Sequence, residues 1–366
     1  MHMKIGSAAL AAALAVASTA YAQEEVTLSM TTVWPEGINL IDSDRHFVET
    51  VNAIGAGKVQ IDFMPGGTLV PSTEVFGAVQ SGGVDMGTDW PGYWAGTDST
   101  FSLLGSFPML FTLPDYVLWV TEWGGQELFD EVYGKYGMKY LPILVVSTES
   151  GLRANKSLPN LAALEGARIR MSGRPQGQIL EALGAAQVTL PGGEVYQALE
   201  RGVVDAAEFS GPGIDLGMGF QEVTDFWQSP GWHQPGSLNG VMIDLKVWNN
   251  LSEEQQAILE TAAHANMLWT IGYYEKGATE AVKAFAEADT QVETLSDEDL
   301  SRLQDIANSI LVDEACQNPT YAKVAASQIE YLQDYGQWRG MQGEFAMGRN
   351  LSSLPDLEAI KACATE

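Results

Sequence analysis

The apolar and polar positions of this chain alternate between two periods. Val26 to Thr32 reads as a strand, every second residue apolar, and ends at the turn Trp34-Pro35-Glu36-Gly37. A helix follows through about Ile54, then a strand from Val59 to Phe63 and a loop from Gly66 to Pro71. The pattern next predicts a helix from Ser72 to Gln80, a strand from Val84 to Thr88, and an aromatic loop, Asp89-Trp90-Pro91-Gly92-Tyr93-Trp94. Pro114 to Tyr133 is helical with an interruption at Gly124-Gly125, and Met138 to Val146 is a buried strand. The stretch from Gly166 to Pro212 repeats the alternation: strand Arg168–Met171, helix Pro175–Leu183 stopped by Gly184, apolar segment Gln187–Leu190, helix Glu194–Arg201, and strand Val203–Ala207 ending on Glu208. Such alternation implies an α/β fold with mostly parallel sheets, whose ligands collect at strand ends such as those of Arg170 and Glu208.

Two of these units resemble one another. Residues 74–85 read EVFGAVQSGGVD and residues 194–205 read EVYQALERGVVD. Two copies are too few for a solenoid and point to one helix-turn-strand unit in each of two lobes. Lobe I is expected over 23–146 and lobe II over 147–235, with crossings near Ser147–Arg153 and in the irregular run Trp227–Gly236. A strand from Leu238 to Asp244, within 236–250, returns to lobe I. Ser252-Glu253-Glu254-Gln255 is a capping box opening a long helix toward Ala288, which either braces both lobes or reaches a second subunit. The remainder, to residue 366, is expected to be helical, with starts at Ser296 and over Thr320–Met347.

Residues 1–22 read as a secretory leader: Lys4, an apolar run from Ala8 to Val16, and a small-x-small cleavage site, Ala20-Tyr21-Ala22, cut after Ala22. The expected compartment is the periplasm. The 19 Lys and Arg against 47 Asp and Glu give a formal charge of −28, which argues against a nucleic-acid partner. It also makes each buried arginine informative. Cys316 and Cys363 are the only cysteines, and export makes a disulfide between them the default expectation. Four histidines, one in the leader, are too few for a His-rich metal site, and a lone His is more often structural.

Enzyme motifs are absent: no Gly-x-Ser-x-Gly elbow, no phosphate-binding Gly-x-x-x-x-Gly-Lys, no Gly-x-Gly-x-x-Gly after the first strand. Paired carboxylates of a carbohydrate-acting enzyme remain the alternative in another class. A binder needs only a cleft, aromatic walls and a few oriented polar groups. Arg170 is the candidate to clamp a carboxylate bidentately, and Arg153 a second cation. Trp34, Tyr93 and Trp94 are candidates to wall the cleft, and Asn239, on the returning strand, joins the candidate ligand-binding residues.

Several motifs in order carry a family resemblance. Gly66-x-x-Leu-Val-Pro71 with Glu74-Val75-Phe76, Tyr93-Trp94-Ala95-Gly96, Gly125-Gln126-Glu127-Leu128, Gly166-x-Arg-x-Arg-Met171, Leu199-Glu200-Arg201-Gly202 with Val204-Asp205-Ala206, and Pro230-Gly231-Trp232 are similar to the exported solute-binding component of TRAP transporters, the DctP-type family. The resemblance implies two α/β lobes with a long helix spanning both, a membrane permease as partner, and Arg170 on the ligand's carboxylate. The chain is most similar to the branch that binds 2-oxo and 2-hydroxy monocarboxylates with a metal ion. There the ion is held by a Gln on the lobe crossing, a Glu and the next carbonyl after the Val-Asp strand, and a Glu after Pro-Gly-Trp. The matching positions here are Glu149, Glu208 with Phe209, and Gln234, so Gln and one Glu have changed places while oxygen donors and charge are kept. A Na⁺ or Ca²⁺ site is implied. Outside that branch the crossing reads Glu-x-Gly-x-Arg, which Glu149 to Arg153 also fits; Glu149 would then pair with Arg153, or Arg153 and Arg170 would clamp a dicarboxylate or sugar acid. Relatives of the metal-binding branch also exchange the long helix in a homodimer, which here would bury Leu259, Met267 and Trp269.

Overall fold

A computed structural model describes residues 25–342. The leader, Cys363 and the end of the last expected helix lie outside the described residues. In lobe I the chain runs through β1 (Val26–Thr32), α1 (Ile41–Ile54), β2 (Val59–Met64), α2 (Val75–Gln80), β3 (Met86–Asp89), α3 (Phe101–Gly105), α4 (Leu113–Glu122), α5 (Gly125–Gly134) and β4 (Met138–Val146). Lobe II follows with β5 (Leu152–Ala154), β6 (Arg168–Arg170), α6 (Arg174–Ala182), β7 (Ala186–Val188), α7 (Val195–Glu200), β8 (Ala206–Ala207), α8 (Pro212–Gly217) and β9 (Phe226–Ser229). The chain then returns as β10 (Ser237–Asp244) and continues as α9 (Leu245–Asn250), α10 (Glu253–Glu287), β11 (Gln291–Thr294), α11 (Asp297–Ala315) and α12 (Pro319–Gln342).

The first sheet has the order β2-β1-β3-β10-β4. β1 lies parallel to β2 and β3, and β10 runs antiparallel between β3 and β4. Lobe I is therefore complete only after the chain has been through lobe II and come back. The second sheet has the order β11-β9-β5-β8-β6-β7, with β6 parallel to both β7 and β8 and β5 antiparallel to β8 and β9. Three of its strands depart from the sequence pattern. β5 and β9 occupy stretches expected to be irregular crossings, and β11 lies in a part expected to be helical. Each is only three or four residues long, and its pairing partner, not its own periodicity, makes it a strand. The strand expected over Val203–Ala207 shrinks to two residues, because Val203 turns its side chain to solvent after the Gly202 stop.

The long helix starts on the capping box expected for it, Ser252 with Gln255, and runs 35 residues, about 52 Å at roughly 1.5 Å per residue. Its first half buries Leu259, Ala262, Ala263 and Met267 against lobe I, with Asn266 donating to Ser43 and to the Ile143 carbonyl. Its last turns bury Ala281 and Phe285 against Trp227 of lobe II. Of the residues expected at an exchanged-helix dimer, Leu259 and Met267 are buried in the protomer's own core and Trp269 is half-buried, stacked on His46; the exposed large apolar side chains on this helix are Leu268, Tyr273 and Val282. A second brace is the α11–α12 hairpin. Glu314 of α11 meets Arg174 of lobe II at 3.1 Å, while on α12 Gln328 donates to the Leu103 carbonyl and Arg339 pairs with Asp115 of lobe I.

Candidate functional site

The two lobe crossings lie backbone to backbone. Glu149 N–H donates to the Gln234 carbonyl at 3.1 Å, Thr148 Oγ1 to the Pro235 carbonyl at 3.0 Å, and Ser150 N–H to the Ser210 carbonyl at 3.0 Å. Such close approach needs glycine at two places. A Cβ on Gly231 would stand 2.1 Å from the Glu149 carbonyl oxygen. Gly151 sits at φ +108° with the Gln228 carbonyl oxygen 1.9 Å from where a Cβ would be. The geometry sets Glu149, on one crossing, beside His233 and Gln234, on the other.

Lobe II supplies the cationic side. β6 ends on Arg170 and the parallel β8 ends just before Glu208, which puts both side chains at the carboxyl edge of the sheet. The Arg170 guanidinium is buried. Its Nη1 donates to the Glu208 carbonyl at 2.8 Å and to Glu208 Oε1 at 2.9 Å, and Nε and Nη2 donate to the Leu190 carbonyl. Glu208 Oε1 also accepts from Ser172 N–H at 2.6 Å. Its other oxygen, Oε2, is buried with no partner among the described residues, as is Oε1 of Gln234. Nε2 of His233 stands 3.1 Å from Glu149 Oε2 and 3.9 Å from Glu208 Oε2. Glu149, Glu208 and His233 each bring one ligand atom within 4.8 Å of the others, and all three are buried.

Burial raises the Glu149 carboxyl well above its usual range, and repulsion from Glu208 and Asp215 adds to this against the pull of Arg170. Burial lowers the His233 imidazole to about 4 despite attraction to Glu208. Burial pushes the Tyr93 hydroxyl up to about 12, against the pull of Arg170. With one arginine facing two carboxylates, the cluster is short of positive charge.

The candidates meet this centre unequally. Trp34, Tyr93, Glu149, Phe209, Gln234 and Asn239 line a cavity of about 20 Å³ at the lobe interface, room for about one water. Trp34 and Tyr93 also wall an apolar groove of about 500 Å³ at the cleft mouth, with Val33, Pro35 and Ile38 of lobe I facing Leu190 and Pro191 of lobe II. Trp94 reaches only this mouth; it packs on Phe76 and its indole N–H donates to Asp89. Arg153 is not brought to the cavity. Its guanidinium is sandwiched between Trp227 and Phe285, 3.8 Å from each ring centroid, and donates to Asp215 and Ser150. The pairing of Glu149 with Arg153 does not form. His233, Ser172, Ser210 and Ser237 were not singled out from the sequence as site residues, and Trp90 was marked only as one of the three aromatics of the loop after β3. Of the first four, only His233 had a signal, as the neighbour of Gln234 after Pro-Gly-Trp.

Residues 30–317 match the family model for bacterial extracellular solute-binding protein family 7, DctP. The chain belongs to this family. A monocarboxylate 2-oxoacid-binding periplasmic protein of Nostoc sp. is 28% identical over 321 residues, which cover 87% of this chain and 85% of that protein. Among solved structures, a TRAP periplasmic solute-binding protein of Pseudoalteromonas atlantica with bound sodium and pyruvate superposes with a TM-score of 0.83 at 24% identity, covering 91% of this chain and 100% of that one. A TRAP solute-binding protein of Bordetella bronchiseptica, a mixed-occupancy dimer with calcium and picolinate, also gives 0.83 at 24% identity, covering 93% and 98%. The DctP chain described here is thus an extracytoplasmic solute receptor with the two-lobed fold of those proteins. Among the described residues no helix is long and apolar enough to cross a membrane. The buried oxygens of Glu149, Glu208 and Gln234, two of them without partners, have the chemistry to hold a cation.

Proposed function

We propose that this receptor captures a small 2-oxo or 2-hydroxy monocarboxylic acid together with a cation. Exported and cut after Ala22, it would deliver the acid to a TRAP membrane permease. The observation that carries the proposal is the half-satisfied Arg170–Glu208 pair beside the orphaned Gln234 oxygen. Glu208 occupies the face of Arg170 that a ligand's carboxylate would need. Turned onto a cation with Glu149, Gln234 and the Phe209 carbonyl, Glu208 releases Nη1 of Arg170 for the acid. The cation supplies charge compensation and a seat for the acid's 2-oxygen. Tyr93, Trp34 and Asn239 line the remaining sides and exclude water, and the mouth groove leaves room for a substituent on the acid. The 2-oxoacid-binding Nostoc relative supports this reading, as do the solved relatives with pyruvate and sodium or picolinate and calcium. A dicarboxylate or sugar acid would need a second arginine, and Arg153 is committed to Asp215.

Calorimetry with pyruvate, 2-oxobutyrate and 4-methyl-2-oxovalerate, before and after chelation and in sodium-free buffer, tests the proposal. At least one 2-oxo acid should bind, and binding should weaken at least tenfold when cations are removed. Full affinity without divalent ions and sodium would leave a purely arginine-anchored site. Binding of dicarboxylates alone would overturn the proposed class.

A further inference from the structure

We propose that His233 is a metal ligand, and that the site prefers a borderline divalent ion of the Mn²⁺ or Zn²⁺ class over Na⁺ and Ca²⁺. The inference rests on the reading that a cation sits between the lobe crossings. Its new content is a nitrogen donor and the ion class that follows.

Geometry is the first support. Two donors each about 2.1 Å from one ion and 90–109° apart stand about 3.0–3.4 Å from each other. Nε2 of His233 lies 3.1 Å from Glu149 Oε2, within that span. It lies 3.9 Å from Glu208 Oε2, which a small rotation of the Glu208 carboxylate closes. Oε2 has no hydrogen bond to lose, and the movement exchanges the Oε1 contacts with Arg170 and Ser172 N–H for the ion. The residue carrying the imidazole is held in place: Gln176 Nε2 donates to the His233 carbonyl at 3.1 Å, and the ring meets Trp232 edge-on at 5.7 Å.

The second support is the lack of another employment for this ring. It is wholly buried and, among the described residues, its only polar side-chain contacts are the carboxylates of the cluster and Nδ1 has no partner. A buried imidazole kept only for packing would leave these carboxylates uncompensated. An ion among Glu149, Glu208, His233 and Gln234 gives the orphaned oxygens of Glu208 and Gln234 a partner at once. Because Nδ1 has no acceptor to stiffen the ring, the ion should be exchangeable and not permanently held.

Charge selects the ion. Glu149, Glu208 and the bound acid carry one negative charge each, and Arg170 supplies one positive. A divalent ion closes that balance in a buried site, whereas Na⁺ leaves one negative charge over. Between divalent ions the nitrogen decides. Ca²⁺ takes oxygen ligands, while imidazole suits Zn²⁺ and its neighbours and carboxylates suit Mn²⁺.

The test uses the mature protein stripped with a chelator and titrated with Mn²⁺, Zn²⁺ and Ca²⁺ by calorimetry with no acid present. The Mn²⁺ form is examined by pulsed electron paramagnetic resonance for imidazole-type ¹⁴N coupling. We expect Mn²⁺ and Zn²⁺ to bind at least tenfold tighter than Ca²⁺, with the ¹⁴N signal present. His233→Gln should erase that signal and cost Mn²⁺ and Zn²⁺ tenfold or more, while Ca²⁺ changes by no more than about twofold. If Mn²⁺ binds without imidazole coupling and Ca²⁺ or Na⁺ is preferred, the inference is overturned and the cation reading stands. If no ion binds, both fall. The spectrum of the unmutated protein decides the matter even if the variant does not fold.

Discussion

At the scale of the residue, the proposed function turns on what Arg170 does when no acid is bound. A lone buried guanidinium would be costly, and Glu208 satisfies it by occupying Nη1 with both its carbonyl and its carboxylate. Two roles for Glu208 then separate cleanly by substitution. If it merely neutralises Arg170, Glu208→Gln frees the arginine and acid binding improves. If it is a cation ligand as well, the same change lowers acid affinity by about tenfold or more, and added cation no longer helps. We expect the second outcome by calorimetry. Arg170→Lys keeps the charge but loses the planar fork, and should also weaken binding, by about 1.5–3 kcal/mol for a charge-assisted contact. The placement of Arg170 and Glu208 at strand ends was legible because strand-helix alternation fixes where strands end, while their proposed roles came from the family resemblance. His233 was not, since a single histidine has no period and only the packing of two distant crossings gives it neighbours. The fate of Arg153 was equally hidden: Asp215, Trp227 and Phe285 come from three separate later elements.

At the scale of the element, the aromatic loop after β3 is held from beneath by a buried acid. Asp89 accepts from the Trp94 indole and, at 3.0 Å each, from the hydroxyls of Tyr133 and Tyr140. This anchors the 3₁₀ turn Pro91–Trp94 that carries Tyr93 into the cavity. Loss of water on burial raises the Asp89 carboxyl from 3.8 to about 7, and that of Asp44, which accepts from Thr88, by the same cause to about 7. Both folded values exceed the unfolded one, so the folded state keeps protons that the unfolded chain releases. Their contribution to stability is full below about pH 4 and is lost as the pH rises through about 7. The thermal midpoint should therefore fall between pH 5 and 8, and Asp89→Asn should make that fall shallower. Parallel pH curves for the two proteins would show that Asp89 is not the source. Element by element, β1 and β4 have the expected bounds because β1 alternates apolar and polar positions over seven residues and β4 is a long, nearly continuous apolar run. The edge and two-residue strands of the second sheet do not, because their identity depends on register with a partner.

At the scale of the whole molecule, the structure is closed. The cavity among Trp34, Tyr93, Glu149 and Asn239 holds about 20 Å³, so an acid cannot enter or leave with the lobes as they stand. Opening must pivot where the lobes are covalently joined, at Ser147–Gly151 and Pro230–Gly236, and it must be accommodated by the two braces. α10 is buried in both lobes, and the α11–α12 hairpin is bonded to Arg174 on one side and Leu103 on the other. A pocket of about 380 Å³ lies beside this joint, lined by Val146, Ser147 and residues of α8 and α10, although the two helices themselves pack closely at Gly213 and Gly277. The repulsion that Glu149 feels from Glu208 and Asp215 favours opening when neither cation nor acid is present, because separating the lobes rehydrates the Glu149 carboxylate. Small-angle scattering of the cation-stripped protein should accordingly show a larger radius of gyration than the same protein with cation and a saturating 2-oxo acid. The forward intensity of the same curves gives the mass. A dimer built on α10 in this conformation would meet Leu268, Tyr273 and Val282, since Leu259 and Met267 are buried in the protomer's core. Compaction at constant mass is the expected result. Superimposable curves for the stripped and loaded protein would rule out the hinge and require an entry route through the mouth groove instead.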